Sequence, residues 1–322
     1  PGLFISFLFD RRAILFDLGD IYNLSPKDIL KLTHIFLTHT HMDHFVGFDR
    51  LLRLFLGREK KLAMFGPEGF LKNVEGKLAG YSWNLVGQYK NGFTLQATEV
   101  KPDCLLTRQY VCRNGFLPTG EAEKKDFDSI LLHEPGLSVK MAILDHSIPC
   151  LGFAITEQMH INIIKDRLLE LKLETGPWLK DFKNALFTGK NPNAEFEVRL
   201  GNKDPKTRKF VLSDLSDRIA RITSGQKISY ISDIVYNDSN VKKTVKLVKN
   251  SDYLFIEAAF LEEQKTIAET KYHLTARQAG TIARKARVKN LSLFHFSPRY
   301  TGKSHLLYKE ADDAFKNRQS ES

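Results

Sequence analysis

The sequence is poor in cysteine and lacks long hydrophobic runs. Its 322 residues include three cysteines, Cys104, Cys112 and Cys150, none with CxxC spacing. We therefore expect no disulfide scaffold and a reducing cytoplasm. The longest apolar run near the start, residues 3–9, is broken by Ser6 and is far too short to span a bilayer. No basic segment with a small-residue cleavage site precedes it, so we expect neither membrane association nor a secretory signal.

Acidic residues are also in deficit. Lys and Arg number 48 against 38 Asp and Glu, which gives a formal net charge of +10 at pH 7. This balance favours a polyanionic partner such as nucleic acid, although basic proteins without such a partner exist. The 42% hydrophobic and 27% charged residues are typical of a globular protein, and the chain is long enough to bury a large core.

Short predicted strands dominate the first part of the chain. Residues 3–9, 13–16 and 34–38 are predicted strands, and residues 26–32 a short helix that Ser25 caps. The centre of the third strand is apolar on both faces, as expected inside a layered α/β domain. The later predicted elements are a helix at 45–56, mostly strands over 91–144, an amphipathic helix at 161–173, a polar solvated loop at 188–209, strands at 228–231 and 253–256, and a helix at 275–287 that Thr275 caps.

The strongest chemical signal follows the strand at 34–38. Four side chains of metal-ligand type, His39, His41, Asp43 and His44, lie within six residues. On a strand end or tight loop, His39 and His41 project to the same side, and the other two can turn toward a second point nearby. Imidazole and carboxylate are ligands that borderline divalent cations such as zinc prefer, and clustering them so closely serves no purpose without a metal. We therefore predict a metal site rather than a chance His-rich turn.

Two adjacent metals need more ligands than this segment supplies. The candidates lie directly behind other buried strands: His146 after 139–144, Asp233 after 228–231, and His295 after 291–294. Taken singly, each is better explained as a structural histidine or a turn aspartate. Their shared position behind strands favours convergence on one site.

These residues resemble the metallo-β-lactamase superfamily, and more narrowly its ribonuclease Z branch, the tRNA 3′-processing endonucleases. Residues 39–44 are similar to the superfamily's HxHxDH signature. Five later segments resemble motifs of the ribonuclease Z branch in the right order: 146–153, 232–234, 256–260, 273–276 and 295–300. The resemblance spans roughly residues 15–300.

Some positions depart from the family pattern. Ser232 and Ile234 stand where the family has Gly and Thr, and Ile256 and Ala259 where it has His and Thr. The family's amino-terminal strand and Gly-Thr-Ser loop have no counterpart from Pro1 onward. The metal set is therefore intact, whereas the substrate-side set differs.

The resemblance implies two divalent metal ions, Zn²⁺ with Mn²⁺ as the alternative. The implied ligands are His39, His41 and His146 for one ion, Asp43, His44 and His295 for the other, and Asp233 as the bridge between them. Asp43 would also orient the attacking water. His273, paired with Glu257, would protonate the leaving 3′-oxygen, and Arg299 would clamp a phosphate. From the residues alone, Glu257 could merely close a strand, His273 precede a helix, and Arg299 pair with a nearby carboxylate.

The implied fold is a four-layer αβ/βα sandwich of two mixed sheets over residues 1–322, with a protruding arm. Residues 154–227 lie where the family inserts a tRNA-binding arm, and an ordinary insertion is the alternative. The basic cluster expected to contact RNA phosphates in this arm comprises Lys203, Lys206, Arg208 and Lys209. The implied partners are precursor tRNA and a second copy of the chain in a homodimer.

The leading predicted function is a zinc-dependent endoribonuclease that removes the 3′ trailer from precursor tRNA. A binuclear zinc phosphodiesterase or other hydrolase acting on a small substrate is the first alternative. A non-catalytic RNA-binding protein is the second, and the seven-ligand set counts against it because a structural zinc needs only about four ligands.

Overall fold

The computed structural model describes residues 1–7, 12–200 and 206–316. The chain forms two compact units. The first comprises Pro1–Leu131, Lys140–Ala154 and Ile228–Ser322, and the second comprises Leu132–Val139 and Ile155–Lys227.

The strands are short, as predicted for much of the chain. Within the described residues they are β1 (Leu3–Ser6), β2 (Ala13–Phe16), β3 (Leu32–Phe36), β4 (Lys60–Pro67), β5 (Phe93–Val100), β6 (Cys104–Val111), β7 (Glu123–Asp126), β8 (Ile130–Glu134), β9 (Leu137–Asp145), β10 (Pro149–Glu157), β11 (Met159–Ile163), β12 (Glu195–Leu200), β13 (Lys206–Val211), β14 (Ala220–Ser224), β15 (Lys227–Ile231), β16 (Tyr253–Glu257) and β17 (Asn290–Phe294).

The helices of the described residues range from one turn to more than three turns. They are α1 (Pro26–Ile29), α2 (Met42–Phe45), α3 (Phe48–Phe55), α4 (Phe70–Ala79), α5 (Lys165–Glu170), α6 (Trp178–Phe187), α7 (Leu212–Ile219), α8 (Asp238–Val248), α9 (Lys265–Thr270), α10 (Ala276–Lys285) and α11 (Ser304–Lys316). In the described ranges no helix combines the length and the apolar character that crossing a bilayer requires.

Two large sheets form the framework of the first unit. One has seven strands in the order β1 to β7, with β2 to β5 parallel to one another. The other has the order β17-β16-β15-β10-β9-β8, with β15, β16 and β17 parallel. Parallel neighbours end at the same edge of a sheet, so residues that follow these strands are brought close together.

Aromatic side chains join the two sheets. Phe16 of β2 packs against Phe153 of β10 and Tyr230 of β15, with ring centroids 5.4 and 5.9 Å apart. Phe36 of β3 also meets Phe153, at 5.7 Å. Helices α3 and α4 bury apolar side chains on the first sheet, and α10 and α11 do so on the second. The predicted layering, helices outside two mixed sheets, is confirmed.

Predicted elements of the first unit mostly form, with changed ends. The strand at 3–9 is seen as β1, and residues 8 and 9 lie outside the described residues. The strand expected at 34–38 is β3, which ends at Phe36. The helix expected at 45–56 is instead α2 and α3, because the amide of Gly47 bonds to the carbonyl of Leu18, 2.9 Å away, and not back along the helix. Ser25 and Thr275 cap α1 and α10 as predicted.

The second unit has its own small core, formed by Trp178, Phe182, Val198 and Leu215 among others. The helix predicted at 161–173 is wrong at its start: β11 pairs with β14 through Ile163, and α5 begins only at Lys165. The ladder satisfies backbone groups that the apolar pattern had assigned to a helix.

The polar stretch at 188–209 is also not a simple loop. Its strand β12 pairs antiparallel with β13, so that Glu197 faces Lys209 and Val198 faces Arg208. Alternating polar and apolar residues suit a strand with one buried face. The bounds predicted for the arm, 154–227, are close to those of the second unit, and its role as an arm stays a prediction.

Candidate metal centre

The predicted ligands and the predicted catalytic residue Glu257 lie at or just beyond strand ends of the first unit. His146 directly follows β9, Asp233 follows β15 after one residue, Glu257 ends β16, His295 directly follows β17, and the segment with His39, His41, Asp43 and His44 lies beyond β3. The end of β3 in the seven-stranded sheet and the strand ends of the six-stranded sheet therefore bring together side chains that are up to about 250 residues apart in sequence.

Three groups of donor atoms result, each with its atoms within 4.8 Å of one another. They are His39, His41, His146 and Asp233; Asp43, His44 and His295; and Asp233, Glu257, His273 and His295. Both ligand sets implied by the sequence resemblance are thus gathered in space. Asp233 belongs to the first and the third of these groups, and its Oδ2 also lies 3.2 Å from Nε2 of His44 in the second.

Asp233 lies at the centre of the cluster. Its Oδ2 is 3.6 Å from Nε2 of His39, 3.2 Å from Nε2 of His44 and 3.8 Å from Nε2 of His146. Its Oδ1 is 2.9 Å from Nδ1 of His295. Burial alone would raise the pKa of Asp233, but His295 and His44 outweigh it and hold the pKa well below the usual value. The carboxylate is therefore charged and surrounded by ring nitrogens.

Asp43 forms the exposed side of the cluster. Its Oδ2 lies 3.0 Å from Nε2 of His295 and 3.2 Å from Nε2 of His44. These two rings lower the pKa of Asp43, His295 most strongly. The Asp43 side chain is 56% exposed, in contrast to 3% for Asp233. Asp43 can thus reach both a metal and an incoming water molecule.

Three of the rings form hydrogen-bond contacts through Nδ1, on the side away from Asp233. The partners are Oγ1 of Thr38 for His39 at 3.0 Å, Oδ2 of Asp17 for His44 at 2.8 Å, and the carbonyl of Tyr272 for His146 at 2.8 Å. Each contact leaves Nε2 facing Asp233. Ligating histidines in metalloproteins are commonly oriented in this way by a second partner.

Unpaired ring nitrogens show that this donor set fits a divalent cation. Among the described residues, Nε2 of His44 and Nδ1 of His295 are buried and have no hydrogen-bond partner, although both face carboxylate oxygens. Nε2 of His39 and Nδ1 of His41 lie 2.9 Å apart. Imidazole nitrogens that converge on one another and on carboxylate oxygens provide the ligand set of a borderline metal such as zinc.

Proton occupancy within the cluster is uneven. Burial, and then the charge of His44, lower the pKa of His39 to about 3, so that ring is neutral and ready to ligate. Burial also acts to lower the pKa of His44 and His295, but nearby carboxylates, Asp17 for His44 and Asp233 for His295, raise the values to about 12 and about 10. A metal that binds these two rings must displace a proton from each.

The buried Glu257 and the partly buried His273 form a pair beside the cluster. Oε2 of Glu257 accepts a hydrogen bond from Nδ1 of His273 at 2.9 Å, and Oε1 accepts from the amide of Ile234 at 2.7 Å. Burial acts to lower the pKa of His273, but Glu257 outweighs it and raises the pKa above its usual value. His273 therefore keeps a proton more readily than a free histidine, and its Nε2 is left for another partner.

Two residues that depart from the family pattern, Ser232 and Ile256, fit their surroundings in the structure. The hydroxyl of Ser232 donates to Oδ1 of Asp233 at 2.9 Å. Ile256 is fully buried in the apolar core behind the second sheet. Neither substitution displaces a predicted ligand from the cluster.

Sequence reasoning missed the role of Asp17. This fully buried carboxylate accepts hydrogen bonds from the Thr38 amide at 2.7 Å, from the Tyr230 hydroxyl at 3.0 Å and from His44 Nδ1 at 2.8 Å. The signal was present, because Asp17 directly follows β2 just as His146 follows β9. Tyr230 gave no comparable signal, since an aromatic residue within a strand is usually core.

Arg299, a predicted phosphate-binding residue, already contacts protein groups. Nη1 of Arg299 donates to Oε1 of Gln264 at 2.6 Å, and its guanidinium lies over the ring of Phe260. Arg299 is exposed, so it remains open to solvent on its other side.

The basic cluster lies in the second unit. Lys209 forms ion pairs with Glu195 at 2.8 Å and Glu197 at 3.7 Å. Arg208 donates to the carbonyl of Leu171 at 2.6 Å. Lys203 and the side chain of Lys206 lie outside the described residues.

Known proteins resemble this chain in sequence and in fold. No family model matches the chain. A protein named Ribonuclease Z from Limosilactobacillus reuteri (strain DSM 20016) is 30% identical over 309 residues, which cover 93% of this chain and 83% of that protein.

Two solved structures share the fold. The metallo-beta-lactamase fold protein YhfI from Bacillus subtilis has a TM-score of 0.54 at 16% identity, covering 98% of this chain and 85% of that one. The short form of human tRNase Z has a TM-score of 0.51 at 18% identity, covering 94% and 87%. The predicted metallo-β-lactamase-type fold is confirmed. Because the sequence likeness to the Limosilactobacillus reuteri protein extends over most of both chains, this chain belongs to the ribonuclease Z family.

Proposed function

We propose that the protein is a zinc-dependent endoribonuclease that removes the 3′ trailer from precursor tRNA. The single observation that carries the proposal is the cluster around Asp233, in which ring nitrogens of both proposed ligand sets face one carboxylate beside the Glu257–His273 pair. Relatives named Ribonuclease Z support the RNA substrate.

In this proposal the seven predicted ligands hold two ions. His39, His41 and His146 would bind one ion, Asp43, His44 and His295 would bind the other, and Asp233 would bridge them. Such a pair supplies an activated water and stabilises the charge that develops on the phosphodiester. Zn²⁺ fits the imidazole-rich donor set best, and Mn²⁺ is the alternative.

The chain's own residues move the protons. Asp43 is exposed beside the cluster and can orient the attacking water by accepting a hydrogen bond from it, while the proton that the water loses passes to solvent. As the new phosphorus–oxygen bond forms, the bond to the tRNA 3′-oxygen breaks, and Nε2 of His273 gives its proton to that oxygen. Glu257 stabilises the protonated ring through the 2.9 Å contact to Nδ1. The products are a tRNA that ends in a 3′-hydroxyl and a trailer that carries the 5′-phosphate.

Arg299 and the second unit are proposed to position the RNA. The exposed guanidinium of Arg299 can pair with phosphate oxygens. Lys206, Arg208 and Lys209 would contact the tRNA backbone, which suits recognition by shape. A homodimer is proposed from the family resemblance. A cytoplasmic location is proposed from three cysteines that are unpaired and buried.

One observation favours the small-substrate phosphodiesterase as a second candidate. The ammonium of Lys209 is already paired with two glutamates, so a cation expected to bind RNA is neutralised within the protein. A substrate no larger than a dinucleotide would not need it.

One experiment separates the two candidates. Purified, zinc-loaded protein is incubated with a 5′-labelled precursor tRNA, and the cut is mapped to single-nucleotide resolution, with an Asp233→Ala variant as the metal-site control. We expect a discrete cut just beyond the discriminator base. Protein that holds two metals and hydrolyses bis(p-nitrophenyl) phosphate but leaves the precursor intact would contradict the endoribonuclease and support the small-substrate enzyme.

A further inference from the structure

Tyr272 has an unusual backbone at the rim of the metal centre. Its φ of +58° lies in the left-handed region, which is unfavourable for a bulky side chain because Cβ crowds the carbonyl oxygen. The turn is held by the Tyr272 amide, which bonds to the carbonyl of Glu269 at 3.1 Å, and by the His273 amide, which bonds to that of Ala268 at 2.9 Å. Glycine or asparagine would adopt this conformation at lower cost.

The main chain of Tyr272 orients a predicted ligand, and its ring takes no part in this contact. The Tyr272 carbonyl accepts the hydrogen bond from Nδ1 of His146 at 2.8 Å and so orients that ring. Any residue type supplies a carbonyl. The need to orient His146 therefore does not explain why a tyrosine occupies a position that disfavours it.

The ring of Tyr272 lies beside the reacting groups. The residue is 38% exposed, and its ring stands perpendicular to the ring of His146 with centroids 6.4 Å apart. The next residue is His273, whose imidazole meets that of His146 at 5.1 Å. An exposed aromatic surface is thus placed within one residue of the proposed proton donor.

We propose that the Tyr272 ring is a stacking platform for an RNA base that flanks the scissile phosphate. Unpaired bases at RNA ends stack on aromatic side chains, and such stacking tolerates any base. That tolerance suits an enzyme that must accept many tRNA sequences. The proposal rests on the proposed endoribonuclease function and names a base-binding subsite of the same centre.

Two substitutions separate the ring from the backbone. Tyr272→Asn removes the ring but keeps a residue that enters the left-handed region readily. Tyr272→Phe keeps the ring and removes only the hydroxyl. The matched control is Tyr253→Asn, since Tyr253 is similarly exposed, at 41%, and lies at the opposite end of β16 from Glu257. KM and kcat are measured for precursor tRNA and for bis(p-nitrophenyl) phosphate, together with the metal content of each protein.

We expect Tyr272→Asn to raise KM for precursor tRNA about 10-fold more than KM for the small diester, which is the scale of one lost base stack. Tyr272→Phe and Tyr253→Asn should keep the wild-type KM for the precursor. Normal metal content in Tyr272→Asn would show that the carbonyl still holds His146.

The outcomes distinguish this proposal from the function on which it rests. Equal KM values for the wild type and Tyr272→Asn on precursor tRNA would overturn the stacking platform alone. Equal losses in Tyr272→Asn and Tyr272→Phe would also overturn it, because the hydroxyl rather than the ring would then be responsible. A wild-type protein that hydrolyses the diester but not precursor tRNA would overturn both proposals.

Discussion

The donor cluster of the first unit and the basic cluster of the second unit hold their charges in opposite ways. Asp233 is buried and faces four imidazoles, and three of those rings are fixed from behind by a further partner. Lys209 is 58% exposed and is paired with exposed glutamates. Removing one member of a buried polar network weakens the interactions of the others strongly, whereas an exposed ion pair contributes little free energy. Single substitutions in the donor cluster are therefore expected to lower the cleavage rate by large factors. Single substitutions in the basic cluster are expected to weaken RNA binding only slightly.

The largest effect is expected from Asp233→Ala. Because this carboxylate contacts both proposed ligand sets, its loss should lower metal occupancy at both sites and reduce cleavage about 10³-fold or more, the scale of several kcal/mol of lost charge stabilisation. Metal analysis by mass spectrometry and precursor cleavage measure the two effects. Asp103→Ala, in the exposed turn between β5 and β6, is the control. Two retained metals would show that another residue forms the bridge.

His273→Ala should affect chemistry without affecting metal. We expect normal metal content and a kcat lower by about 10²-fold or more, as for the loss of a general acid. His305→Ala, an exposed histidine on α11, should behave as the wild type. If His273→Ala cleaves at nearly the wild-type rate, His273 has no part in proton transfer.

Asp17→Asn tests whether the hydrogen-bond contact at Nδ1 of His44 is needed for metal binding. The substitution keeps the shape but weakens the 2.8 Å contact to His44, so zinc affinity should fall about 10- to 100-fold. Titration with a metal-buffering chelator measures it. Tyr230→Phe, which removes only one hydroxyl bond to Asp17, should have a smaller effect in the same direction. Unchanged affinity in Asp17→Asn would mean that His44 is positioned by the fold alone.

The smallest effects are expected in the basic cluster. Arg208→Glu should raise KM for precursor tRNA and reduce the slope of log KM against log salt by about 1, since one phosphate contact is lost. Lys209→Gln should change KM less, because its charge is already balanced by Glu195 and Glu197. A larger effect from Lys209→Gln than from Arg208→Glu would indicate that the ion pairs open when RNA binds.

The residues of the donor cluster could be selected from the sequence because their residue types and their positions next to predicted strands are local features. Four ligand-type residues within six positions, and single ones directly behind strands, are visible without a structure. Left-handed turns are not visible in this way: Asp17, Tyr272 and His295 all have positive φ, and none is a glycine or asparagine that would mark such a turn in the sequence. The secondary structure of the second unit was predicted less accurately. Strands β11 and β13 form because they pair with β14 and β12, whereas their own sequences are equally compatible with a helix or a loop.

The central claim is that the seven donor residues, Asp233 among them, form one two-metal centre. Crystals of the zinc-loaded protein, measured at the zinc absorption edge, test it most directly. The account predicts two anomalous peaks about 3.5–4 Å apart, with Asp233 in contact with both. A single peak, or two peaks that do not share Asp233, would contradict it.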